Sequence, residues 1–88
     1  MLPTREEVEA LYPDVETDMD KRWEEDIPHH PRSEELMRKI AGVDYYFNND
    51  TFCWKQGGDG DNGEELMYLL DIIFEQEDID KSWLLLNP

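Results

Sequence analysis

Positive charge is scarce in this chain: eight Lys and Arg stand against 23 Asp and Glu in 88 residues, a formal net charge of −15. The few bases form no stripe, and a polyphosphate is repelled over a Debye length of roughly 8–10 Å. Direct binding of nucleic acid is excluded on that ground. Cys53 is the only cysteine, so no intramolecular disulfide forms, and with two histidines there is no structural zinc set. Flanked by Phe52 and Trp54, its thiol is expected to be buried and inert, in a reducing, cytoplasmic setting. No run nears the ~20 apolar residues of a membrane span. The opening segment Met1–Glu7 lacks the apolar stretch of a signal peptide, so no membrane partner is expected.

Catalytic sets are missing as well. Cys53 with His29 or His30 is the one nucleophile–base pairing on offer, and negative surroundings disfavour a thiolate. Acids are too abundant to single out a pair for acid–base work. The chain is read as non-enzymatic, with no cofactor.

What is present is carboxylate, and it is not confined to a tail. Residues 1–35 carry twelve acids and residues 36–88 carry eleven, so the folded body itself is the polyanion. Three Trp, four Tyr, three Phe and the apolar run Leu66–Phe74 supply a core for one domain over residues 1–88.

Periodicity predicts an α+β fold: a small single domain of helices packed on a two-stranded antiparallel β-hairpin. Thr4 and Glu7 suit a capping box for a first helix that Pro13 ends. A second helix is expected over Asp14–Glu25, since Val15, Met19 and Trp23 recur every four residues. Pro28-His29-His30-Pro31 reads as a stiff, exposed connector. Ser33 is the expected N-cap of a third helix bearing Leu36, Met37, Ile40 and Ala41, with Gly42 after it. Alternation over Val43–Phe47, turn residues Asn48-Asn49-Asp50 and the run Thr51–Lys55 predict the hairpin, with Tyr45 and Phe47 sharing a face. After the glycine-rich loop, a central helix is expected from Gly63 or Glu64 to about Gln76, capped by Asp61 or Asn62. A short helix or extended arm over Ile79–Leu86 follows.

The loop Gly58–Glu65 opens like a calcium-binding EF-hand with Asp59-x-Asp61. It then departs from that pattern: position five is Gly63, Glu64 displaces the turn glycine, and position twelve is Leu70. A divalent-metal module on Asp59–Glu65 is kept as one alternative. Neither histidine is expected to chelate, because neighbours on an extended segment point apart.

The sharper expectation concerns residues 14–26. On a helix rising ~1.5 Å per residue, carboxylates at i and i+4 stand about 6 Å apart, similar to successive phosphates on one strand. Asp14 with Asp18, and Glu16 with Asp20, would form such rows, continued by Glu24, Glu25 and Asp26. A merely solvated helix face is the plain alternative. In size and charge alone, the chain resembles the small acidic inhibitors of phages and mobile elements, anti-restriction and anti-CRISPR proteins among them. That resemblance implies a nucleic-acid mimic that occupies the basic surface of a nucleic-acid-binding protein or nuclease. The expected partner-binding residues are Asp14, Glu16, Asp18, Asp20, Glu24, Glu25, Asp26, Asp59, Asp61 and Glu64, anchored by an exposed Trp23 or Trp83. An immunity protein that neutralises a basic nuclease toxin has the same physical signature and is the other alternative.

Overall fold

The computed structural model describes residues 2–40, 45–57 and 62–86, with side chains over 63–81 of the last stretch. The order of elements is α1 (Arg5–Leu11), α2 (Met19–Glu24), α3 (Pro31–Ile40), β1 (Tyr45–Asn48), β2 (Cys53–Gln56) and α4 (Asn62–Leu86). The strands pair antiparallel, with Phe47 opposite Trp54. Among the described residues, four helices and a two-stranded sheet make the expected α+β architecture.

Everything is organised on α4. Leu66, Met67, Tyr68, Leu69, Leu70 and Ile72 are all buried, so the middle of this helix is apolar around its whole circumference. One side packs with Met37 of α3 and Trp54 of β2. The other packs with Val8 of α1, joined by Tyr12, Val15 and Met19. Two small cores thus share one helix. The break expected after Glu77-Asp78 does not occur. From Glu64 to Leu86 the sequence holds neither glycine nor proline, and nothing stops the helix.

The N-terminal helices show how side chains set boundaries. Thr4 caps α1 by accepting the N–H of Glu7 at 3.2 Å. The predicted helix over Asp14–Glu25 shrinks to Met19–Glu24. Asp14 and Glu16 lie off the helix, so the predicted carboxylate rows do not form. Glu16 accepts the N–H of Asp18, and Asp18 accepts that of Asp20. Such local bonds compete with helical ones, and like charges at i and i+4 repel.

The end of α2 is a Schellman motif. Ile27 N–H donates to the Arg22 carbonyl and Asp26 N–H to that of Trp23, with Asp26 at φ 51°. α3 likewise departs from expectation. It starts at Pro31, whose fixed φ suits the first helical position, and Ser33 is fully buried within it. The cap is His30, whose Nδ1 accepts the N–H of Arg32 at 3.1 Å.

In the hairpin turn, Asn48 Oδ1 accepts the N–H of Asp50, and Phe52 adopts φ 55°. Phe47 is exposed although Tyr45, expected on the same face, is half-buried; its ring meets Trp54 edge-on across the strands. Cys53 is half-buried, its Sγ 3.0 Å from Thr51 Oγ1. Ala41, Gly42, Val43, Asp44, Asp59 and Asp61 lie outside the described residues, as does the side chain of Trp83. No helix among the described residues is long and apolar enough to cross a membrane.

Gly63 marks the closest approach of α4 to β2. A Cβ there would stand 2.9 Å from backbone atoms of Trp54 and Lys55. Gly63→Ala is therefore expected to lower unfolding free energy by about 1–3 kcal/mol, read as a lower urea midpoint. Asp26→Gly is expected to act oppositely, raising it by about 0.5–1 kcal/mol because the left-handed conformation costs glycine nothing sterically.

Candidate partner-binding groove

His29 lies between two carboxylates of α4 rather than on an exposed connector. Its Nδ1 is 2.6 Å from Asp71 Oδ2 and its Nε2 is 2.7 Å from Glu64 Oε1. Carboxylates only accept, and a neutral imidazole has one N–H, so satisfying both contacts requires the imidazolium. Burial works against that charge, but the hydrogen bonds and charges of Asp71 and Glu64 outweigh it and raise the His29 pKa to about 9. Asp71 is fully buried, and its other oxygen accepts the backbone N–H of His30.

Glu64 has a second task. Its Oε2 accepts the Trp54 N–H at 2.7 Å, tying the first turn of α4 to β2. Expected on the partner face, Glu64 instead points inward and is largely buried. It also serves the two structural bonds that a metal reading of Asp59–Glu65 would need to break. Among the described residues, no group of three or more metal-ligating side chains is assembled.

Neighbouring bases follow the same pattern. His30 is half-buried; with Nδ1 accepting, its Nε2–H donates to Asp78, which this bond holds below the usual carboxylate range. Arg22, only 7% exposed at its side chain, donates to both oxygens of Glu75. Arg32 pairs with Glu77 and lies over the Phe74 ring. Arg5, Lys21 and Lys39 pair with Glu9, Glu16 and Glu35.

The acids of residues 14–26 remain outside. Asp14, Glu16, Asp18, Asp20, Glu24, Glu25 and Asp26 are all exposed. Among them stands Trp23, 59% exposed. Two cavities meet at this ring. The larger, about 400 Å³, is lined by Asp18, Met19, Asp20, Trp23, Glu65 and Tyr68, with Arg5 and Glu64. The smaller, about 280 Å³, runs from Trp23 and Asp26 past His29 to Phe52, which is 75% exposed. Trp23, Glu64 and Tyr68 belong to both, so the cavities form one groove between α2 and the start of α4. Burial, aided by the charges of Glu64 and Asp71, pushes the Tyr68 phenol up to about 12, and the groove floor keeps it neutral.

Of the predicted site residues, the fold brings Asp18, Asp20, Trp23, Asp26 and Glu64 to this groove. Sequence reading missed Tyr68, Phe52 and the His29 clamp. Asp71 was the available signal: a lone acid inside the apolar run Leu66–Phe74 needs a buried partner. Compared with known proteins, the chain matches no protein family, no curated protein and no solved structure.

The clamp sets a pH dependence. Because the folded pKa of about 9 exceeds the ordinary 6.5, its contribution is complete below pH 6.5 and is lost as pH rises through 9. Unfolding free energy should fall by on the order of 2 kcal/mol across that interval. Chemical denaturation at a series of pH values checks this, and His29→Gln should flatten the slope.

Proposed function

We propose that this chain is an acidic, non-catalytic inhibitor that occupies the basic nucleic-acid-binding surface of a partner protein, as a mimic of nucleic acid. It would belong with the inhibitors that phages and mobile elements use against host defence. The observation that carries the reading is the separation of charge. Arg5, Lys21, Arg22, Arg32 and Lys39 are drawn into ion pairs, while the acids of residues 14–26 stand exposed around Trp23. A net charge of −15 displayed this way steers a cationic surface toward the chain and repels competing polyanions.

The mimicry does not depend on helical rows at phosphate spacing. Asp14 and Glu16 lie in an extended stretch, and Asp20, Glu24 and Glu25 on one short helix. A cluster of carboxylates with an aromatic anchor suits recognition by arginines and lysines without copying the geometry of a strand.

The test is competition. Labelled duplex DNA bound to a basic DNA-binding protein is titrated with the chain at two salt concentrations. Release of the DNA is expected, weakening by about 10- to 100-fold between 50 and 200 mM salt. Asp14→Asn with Glu24→Gln and Glu25→Gln, three exposed acids that do not line the groove, should slow association while leaving dissociation nearly unchanged. A ternary complex, or association indifferent to salt across a panel of basic nucleic-acid-binding proteins, would overturn the proposal.

A further inference from the structure

The groove at Trp23 differs from the rest of the acidic surface in having walls. Met19, Trp23 and Tyr68 give it apolar and aromatic sides, and Asp18, Asp20 and Glu65 stand on it. Glu64 is already matched by His29, and Arg5 by Glu9. Three carboxylates therefore remain against no unmatched base lining this cavity. A site that is both aromatic and negative selects a cation able to shed water at low cost. Arginine fits better than lysine: its guanidinium is planar, more weakly hydrated, stacks on indole and donates from five N–H groups.

The adjoining cavity carries a second, independent feature. Arg22 lines it and is nine-tenths buried, and its Nε–H has no hydrogen-bond partner. That N–H is itself enclosed by protein, so a ligand entering this cavity meets the Trp23 and Phe52 rings. Phe52, turned outward from a left-handed backbone position, flanks the same cavity.

Building on the proposed inhibitor reading, we infer that the groove between α2 and α4 docks an arginine-bearing segment of the partner protein. The guanidinium lies against Trp23 and pairs with Asp20 and Glu65, and the adjoining main chain runs toward Phe52. The surrounding acids supply general attraction; the groove supplies the choice of arginine.

Labelled synthetic peptides of alternating glycine and arginine, or glycine and lysine, test this by fluorescence anisotropy near 150 mM salt. The arginine peptide should bind at least about fivefold more tightly, and Trp23→Ala should remove about tenfold of its affinity. Phe52→Gly also relieves the left-handed strain, so it should fold at least as stably and still bind the arginine peptide more weakly. A control pair, Glu6→Gln with Glu7→Gln on α1, removes two charges outside the groove and should cost less than about threefold. Equal affinity for both peptides, or a Trp23→Ala effect no larger than the control's, overturns the groove. If binding to both peptides stays salt-sensitive in that case, the charge-based reading stands. Loss of salt-sensitive binding to either peptide overturns both.

Discussion

A fully buried carboxylate, Asp71, is the constraint around which this fold is arranged. It lies in the all-apolar middle of α4, where an unpaired charge would cost several kcal/mol. One oxygen takes the His29 ring and the other the His30 backbone N–H. The same imidazolium then reaches Glu64, two turns earlier on the helix, and Glu64 holds the Trp54 N–H of β2. One residue of the connector thereby fixes the direction of the chain between α2 and α3 and, through Glu64, the seat of the hairpin. Neighbouring His30 caps α3 with one ring nitrogen and meets Asp78 with the other. The connector acts as a clasp on α4.

The clasp also explains how so acidic a chain keeps its uncompensated charge on an outer segment. Positive groups are few, and each is worth most where it is least screened. Arg22 and His29 are placed against Glu75, Glu64 and Asp71 on α4, the helix on which α1, α2, α3 and β2 pack. Spending cations inward leaves the outer segment at 14–26 with little compensation: Lys21 reaches Glu16 at 3.4 Å, between two exposed side chains. An exposed pair of that kind contributes at most about 1 kcal/mol.

The parts of the fold readable in the sequence were those governed by short-range rules. Thr4 as a cap, the Asn48–Asp50 turn and the apolar breadth of α4 follow from neighbours within a few positions. The departures at the connector and at the start of α3 come from long-range pairing of polar groups. The Pro28–Pro31 connector reads as exposed because nothing local gives its histidines partners; Asp71 and Glu64 lie 42 and 35 residues away. Ser33 looks like a cap until His30, held by Asp78, takes that position. In α2 the rule that failed was periodicity: Val15 and Met19 do face the core, yet capping by Asp18 delays the helix and turns Trp23 outward. Of the groove, the acids and Trp23 were legible. Tyr68 and Phe52 were not, because a wall between two elements exists only once they are packed.

The region left exposed is the least self-sufficient part of the molecule. α2 has six residues, far below the ~12–15 at which an isolated helix begins to persist in water. Its hold on the body is Met19 at the margin of one core and the Arg22 pair, set against seven acids within thirteen positions. Their mutual repulsion opposes the folded arrangement and is greatest at low salt. On the proposed reading, a cationic surface laid over them would convert that repulsion into attraction and so link binding to the ordering of α2. Pairing these residues with bases would relieve that repulsion, as pairing does on α4. Placing the most shielded pairs on α4 keeps the clasp intact while the face around Trp23 stays both negative and open.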